Sequence, residues 1–568
     1  MTPSKIRCLR SLLPLTAKAG VRSLCNKIIC SKATNADVQK LALSDYVWKD
    51  LDKWSDKTAL ECAETGRNYS YEDVYKKSNK VANFLANLKG LNKEDVIATI
   101  LPNVPEYAII VLGAAQAGLK ITPLNPEYTK EEINHCLAIS KPRIIFTLTD
   151  LWPNVSSAVS AFPKVPIVVM NHRNEVMDIP SGAIKLSEVL QNTYPAKRQT
   201  HGWNDVIYLP YSSGTTGLFK CIELTNENMV SSIHHHTVPE FKMQTPTNAT
   251  NQDVFPAILP MYHIYGIHTI LLNMSLGCKA ITVPKFTTKT FIGILENTRP
   301  THCYLVPPLV QLLVKEPRIK PEYLTRMRSI QVGAAPLGIN DVRSLNEKTK
   351  GKVHILQGYG LTETTGATHW QTPHIAGGVK MGGCGLSYPT MECKIKNEQG
   401  EMLGSNEKGT VFLRGSQVFK GYLNNPEATQ SALSSAGWLN TGDIGYHDED
   451  GHLFITDRSK EMIKVKGLQV APAEIEDILR SHPDVDEAAV VGLPHDRFGE
   501  VPIAFIVTRS TKRIDLKSID EFVASKVAKH KRLLGGIVVT DYIPKTASGK
   551  ILRRYLKRLP SERKYETI

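Results

Sequence analysis

Tyr211–Thr225 reads YSSGTTGLFKCIELT. The apolar run Val206–Pro210 leads into a Ser/Thr/Gly loop, then Lys220, then a short strand-like segment. Between Ser212 and Lys220 stand four hydroxyls, two glycines and one lysine. Exposed N–H groups, hydroxyl donors and a cation on a flexible stem are what hold a polyphosphate. Glycine lets the backbone approach an anion with no Cβ in the way. The spacing G-x-x-G-x-x-K differs from the Walker loop, and a strand rather than a helix is expected to follow. Alone, the stretch reads equally as a phosphate cradle or as a surface turn.

Working outward, 568 residues exceed one compact core, so two or more domains are expected. A hydrophobic content of 42% with 22% charged residues is that of a globular enzyme. The net charge of +14 is unevenly spread. Lys5, Arg7, Arg10, Lys18, Arg22, Lys27 and Lys32 precede the first acid, Asp37; the remainder holds 62 basic against 55 acidic residues. A body so mildly basic argues against nucleic acid as partner. Residues 1–36, basic and serine-bearing with short apolar patches, fit a mitochondrial presequence, with a basic tail on a cytoplasmic protein as the alternative. The apolar stretch from Tyr107 to Gly118 is too short to span a bilayer and reads as a buried helix. Ten cysteines without a CxxC pair suit a reducing compartment. His234, His235 and His236 follow one another, so on a helix they point different ways, which favours a solvated or partly buried face over a metal site.

From Leu43 to Asp150, helical and strand-like patterns alternate: Tyr71–Lys89 amphipathic, Val96–Ile100 apolar, Val104–Gly118 helical, Lys120–Leu124 apolar. Arg143–Phe146 and Val165–Val169 continue the series. Such alternation predicts an α/β fold with parallel or mixed sheets covered by helices. Short strands with glycine turns between Lys396 and Gly421 predict a small β-rich subdomain. A charged segment near Asp457–Lys460 then divides residues 37–456 from a C-terminal α/β unit, 457–568.

Six further motifs follow the loop in order: LPMYHIYG from Leu259, GAAPLG from Gly333, QGYGLTET from Gln357, WLNTGD from Trp438, DRSKEMIKVKGLQ from Asp457 and PKTASGKILRR from Pro544. Together with the loop this set resembles the adenylate-forming superfamily of acyl-CoA synthetases, in the branch of 4-coumarate:CoA ligase and firefly luciferase. The resemblance runs from about residue 40 to 560. It implies a large N-terminal domain with a small β-rich subdomain and a smaller mobile C-terminal α+β domain. It also implies a two-step reaction, in which a carboxylic acid and ATP give an acyl-adenylate and pyrophosphate, and coenzyme A then displaces AMP. Magnesium is the expected metal.

By position, the resemblance makes Ser212, Ser213, Gly214, Thr215, Thr216 and Lys220 the triphosphate loop. Thr362 becomes a phosphate contact, Glu363 a magnesium ligand, Asp443 the ribose carboxylate and Arg458 a second ribose or phosphate contact. Gln357, Gly358 and Tyr359, with Gly333, Ala334 and Ala335, become walls of the adenine and acyl pockets. His263 lies by the substrate carboxylate, and Tyr265 and Thr269 at acyl positions. Lys550 bridges carboxylate and α-phosphate during adenylation. Lys460 is the hinge, Lys464 and Gln469 are nucleotide contacts, and Lys285, Lys466 and Gly467 are coenzyme A contacts.

The chain departs from the family at its lysine, where PKG becomes Phe219-Lys220-Cys221. Loss of the preset proline φ and of glycine freedom is expected to cost about 1 kcal/mol and to weaken ATP binding. The expected acid is a medium- or long-chain fatty acid, chosen from the mitochondrial address, with an aryl-propenoic acid next. A luciferase-like monooxygenase and a nucleotide-binding relic without turnover are the other classes the motifs allow.

Overall fold

A computed structural model describes residues 27–33, 37–160, 162, 165–173, 178–197, 199, 201–213, 219–458, 461–465, 468–495, 497–509, 514–546 and 549–558. Most of the expected presequence therefore lies outside the described residues, as do Gly214, Thr215, Thr216, Lys460, Lys466 and Gly467, and the side chains of Ser213 and Gln469.

The β/α alternation builds a nine-stranded sheet. Its centre is parallel, with Lys120–Leu124, Val96–Ile100, Ile144–Leu148 and Ile167–Met170 side by side. These are near-continuous Ile/Val/Leu runs, as strands covered on both faces must be. Tyr71–Asn87 forms one cover, started by a reciprocal capping box between Ser70 and Asp73. Pro105–Gln116 is buried along its whole length, as the unbroken apolar pattern predicts.

A four-stranded sheet holds Val254–Ala257, Lys279–Thr282, Thr58–Cys62 and Asn68–Ser70. A five-stranded sheet runs from His302–Leu305 through Ser329–Val332, His354–Leu361 and Gly366–Trp370 to Leu386–Ser387. The β-rich unit is larger than the Lys396–Gly421 stretch: Glu392–Lys396, Gly409–Arg414, Leu439–His447 and Leu453–Arg458 pair in antiparallel order. Ile28–Cys30 adds to its edge against Glu392–Lys394, and Lys27 Nζ donates to the Met402 carbonyl. The C-terminal sheet begins at Ile463 and is built on the long hairpin Val485–His495 with Gly499–Thr508, with its own apolar core.

The histidine run differs from expectation. His235 and His236 are fully buried, because helix Asn226–His235 packs between sheets. His235 Nδ1 meets Gln417 Oε1 at 2.7 Å, and the Tyr388 hydroxyl lies within 2.9 Å of the His236 ring nitrogens. Burial drives His235 down to about 3, so the ring is neutral. Among the described residues no cluster of His, Cys, Asp and Glu is arranged to hold a metal, and no helix is long and apolar enough to cross a membrane.

Candidate active site

The opening stretch forms an antiparallel hairpin. Tyr211–Ser213 pairs with Phe219–Cys221, which sets Ser212 opposite Lys220, and Phe219–Thr225 continues as the expected strand. Lys220 Nζ lies 4.9 Å from the centre of the Tyr422 ring. The Tyr422 hydroxyl donates to Glu363 Oε1 at 2.9 Å, and Phe419 N donates to the Glu363 carbonyl. One tyrosine, unremarked in the sequence, thus joins the loop lysine to the expected metal ligand. Burial and the charge of Glu363 push the Tyr422 phenol up, which keeps it a donor.

The anomaly at Lys220 has a physical answer. The Phe219 ring packs 5.0 Å from Tyr128 and edge-on to Tyr211 at 6.4 Å. Tyr211 donates to the Cys136 carbonyl at 2.7 Å, and Cys221 is buried opposite it. Side-chain packing holds the hairpin base where proline would have stiffened it. Aromatic pairs contribute about 0.5–1.5 kcal/mol each. Phe219→Ala is therefore expected to raise KM for ATP roughly three- to tenfold with a smaller change in kcat. An unaltered KM for ATP in initial-rate kinetics would mean the ring does nothing for the loop.

The Gln357–Thr364 motif is a strand ending in a tight turn. A Cβ on Gly358 would stand 2.0 Å from Trp370 Cε3, and one on Gly360 only 1.9 Å from the Gly366 carbonyl oxygen, so both positions require glycine. Gln357 Oε1 accepts from Leu337 N, tying this strand to the Gly333–Gly338 turn, where Ala334 takes φ +70°. Tyr359 donates to Asp443 Oδ2 at 2.6 Å, and Arg458 Nε lies 3.2 Å from Asp443 Oδ1. Asp443 and Arg458 face each other across neighbouring strands. Burial raises the Asp443 pKa, opposed by Arg458, the Tyr359 hydroxyl and Lys550.

Lys550 comes from the other domain. Its hairpin is closed by Thr546 N on the Lys550 carbonyl and Lys550 N on Thr546 Oγ1. Gly549 abuts Val306 and Pro308 of the large domain. Lys550 Nζ lies 3.9 Å from Glu461 Oε1, and Arg458 and Asp443 both act on its charge. Burial and Arg458 lower its pKa.

On the acyl side, His263 caps helix Ile264–Met274, its Nδ1 accepting from Tyr265 N at 3.3 Å. Burial pushes this imidazole down to about 4, hence neutral. Tyr265 donates to the Gln331 carbonyl at 3.1 Å, with its ring against Gly333. Thr269, one turn further on, bonds its own helix at Gly266. Asn103 clamps the segment before His263: its Nδ2 donates to the Ala257 and Leu259 carbonyls and its Oδ1 accepts from Met261 N.

Lys550, Arg458, Asp443 and Tyr359 therefore meet at the domain junction, while Lys220 and Glu363 meet through Tyr422. Lys285 and Lys464 are both exposed, Lys464 on the strand Ile463–Val465. Tyr422, Gln331 and Asn103 escaped sequence reasoning because each acts through backbone or ring contacts without a motif. Glu461 and Arg553 stand inside quoted motifs, and only their partners distinguish them.

A lysine set opposite Ser212 on paired strands, a buried carboxylate beside an arginine, and a lysine from the C-terminal unit are a set of groups suited to a phosphorylated ligand. Residues 47–423 match the model of the AMP-binding enzyme family, and residues 474–550 that of the AMP-binding enzyme C-terminal domain. The chain is 35% identical over 530 residues to 4-coumarate–CoA ligase 1 of Arabidopsis thaliana, covering 91% of this chain and 92% of that one. It is 36% identical over 542 residues to the probable 4-coumarate–CoA ligase 2 of Dictyostelium discoideum, covering 93% and 97%. Among solved structures, ATP-bound MatB from Rhodopseudomonas palustris superposes with a TM-score of 0.80 at 27% identity, over 91% of this chain and 99% of that one. The chain belongs to the AMP-binding enzyme family, as an ATP-dependent, AMP-forming acid–CoA ligase.

Proposed function

We propose that this ligase activates a compact aryl-propenoic type of acid, and that Lys550, Arg458 and Asp443 act on the adenylating half-reaction. The observation that carries the second point is the convergence of these three groups from two domains. The acid's carboxylate oxygen attacks the α-phosphorus, the bond to the β-phosphate bridge breaks, and pyrophosphate leaves. The coenzyme A thiolate then attacks the acyl carbon and AMP departs. Negative charge grows on the α-phosphate during the first step, so a fixed ammonium there lowers the barrier rather than tightening ground-state binding. Asp443 offers two acceptor oxygens, the right number for a ribose diol, and Tyr359 and Arg458 hold its orientation. Neutral His263 can sit beside the acid without trapping it as an ion pair.

Glu363 fits magnesium: one carboxylate beside a phosphate loop is the sparse protein ligation this ion takes when phosphates supply the rest. When bound, the ion would spread charge on the departing phosphates.

The acid class is supported by the relatives, which are 4-coumarate–CoA ligases, and by the polar residues packed behind Tyr265. Behind Tyr265, Gln331 stands opposite Tyr304 on the neighbouring strand, and Gln244 and Asn273 both donate to the Tyr304 hydroxyl. All four of these residues are buried. A polar layer behind the residue at the acyl position suits an acid with a polar ring end better than a purely aliphatic tail. The fatty-acid expectation came from compartment alone. Pyrophosphate release over a panel of 4-coumarate, cinnamate, benzoate, octanoate and palmitate is expected to give the highest kcat/KM with the aryl-propenoic acids. A preference for palmitate would overturn the acid class while leaving the ligase intact.

A further inference from the structure

We propose that Glu461 is a positioning residue for adenylation, one that aims Lys550 and keeps its side chain an ammonium at working pH. The inference rests on the reading of Lys550 given above and deepens it.

Glu461 stands at the start of the C-terminal unit, just past the strand that ends at Arg458. Its N–H donates to the Arg458 carbonyl at 2.9 Å, so it follows directly from the strand that carries the Asp443 partner. Its Oε2 meets Arg553 Nε at 3.0 Å, and its Oε1 is turned to Lys550 at 3.9 Å. The arginine cannot swing away. Its guanidinium is clamped by both carboxylate oxygens of Glu476 and donates to the Val490 carbonyl at 3.2 Å, and Glu476 in turn accepts from Val490 N at 2.8 Å. One oxygen of Glu461 is thus tethered and the other faces the lysine. At 3.9 Å the contact with Lys550 is an electrostatic guide without a hydrogen bond, so the ammonium can move to a phosphate at little cost.

The charges around Lys550 make this acid necessary. Arg458 and Arg553 oppose its protonation, and Asp443 and Glu461 favour it. Asp443 is also engaged by Arg458 and Tyr359, while Arg553 is shared with Glu476 and Asp457. Burial already disfavours the ammonium. Without the charge of Glu461, the lysine would sit between two guanidiniums with a single shared carboxylate for balance.

Glu461→Gln keeps the shape and removes the charge. The rate of acid-dependent ATP–pyrophosphate exchange, followed against pH with p-coumarate, is expected to lose its alkaline limb about one pH unit lower than in the wild type. Thioester formation from supplied coumaroyl-adenylate and coenzyme A is expected to be unchanged, and Glu461→Asp to restore most of the shift. Lys550→Arg, whose side chain does not titrate in this range, is expected to remove the limb altogether. An alkaline limb at the wild-type pH in Glu461→Gln would overturn the proposal, as would equal losses in both half-reactions. If Lys550→Ala leaves exchange intact, the underlying reading of Lys550 has failed instead. If Lys550→Ala abolishes exchange while Glu461→Gln moves nothing, only the role of Glu461 has.

Discussion

Lys550→Ala is expected to lower kcat for acyl-adenylate formation by at least about 10²–10³-fold, the loss seen when one fixed electrostatic donor leaves a reacting centre. KM for ATP and for the acid should change far less, because the lysine acts where charge develops and the loop, Asp443 and the acyl pocket bind the ground state. The geometry supports the size of the effect. Lys550 Nζ stands in a partly buried junction with Arg458 and Asp443, where screening by water is weak. Its hairpin seats Gly549 on Val306 and Pro308 of the large domain. Single-turnover measurement of pyrophosphate release separates the outcomes. A loss confined to KM would make Lys550 a binding residue, and a parallel loss in thioester formation from preformed acyl-adenylate would point to a misplaced domain. The pH dependence follows from the lowered lysine pKa: activity through Lys550 is present below that value and is lost as pH rises through it.

Local pattern carried the parts of this architecture whose cause is local. Val96–Ile100 and Lys120–Leu124 are strands with the expected bounds, and most of the apolar Tyr107–Gly118 stretch lies in the buried helix Pro105–Gln116, which ends before Gly118 at φ +72°. Pairing over long distances is invisible to such patterns. Ile28–Cys30, three residues inside a segment read by its charge, completes a sheet edge with a strand more than 360 positions away. Phe219 looked like a defect beside Lys220 because its partner Tyr128 is remote in sequence. His235 and His236 read as partly solvated because period says which way a side chain points and nothing of what packs there. Motif order pointed to Lys550, Asp443, Arg458 and Glu363, and the structure brings the first three near one another. The motifs missed Tyr422, which earns its place only through Lys220 on one side and Glu363 on the other.

Arg553→Met is expected to destabilise the C-terminal domain by about 3–5 kcal/mol, the cost of leaving a buried ion pair with one partner removed. The guanidinium is 12% exposed, and it serves two acids, Glu476 at 5% and Glu461 at 22%. Methionine fills the volume, removes the cation of Glu476 and leaves Glu461 with only the more distant Lys550. Lysine should not rescue the variant, since a single ammonium cannot meet two carboxylates and the Val490 carbonyl with a planar fork. The sign with pH distinguishes charge from packing. In the wild type, Arg553 and Lys550 hold Glu461 below its ordinary value of 4.5. That stabilisation is present above the unfolded value and is lost as pH falls through the folded one. In Arg553→Met, Glu461 loses the larger of these two restraints and takes up its proton at higher pH. The stability gap between variant and wild type should therefore be widest near neutrality and narrow towards pH ~4. Chemical denaturation at several pH values reads the gap directly. A constant gap would assign the loss to packing, and Arg553→Met combined with Glu476→Gln should recover part of it only if the uncompensated charge is the cause.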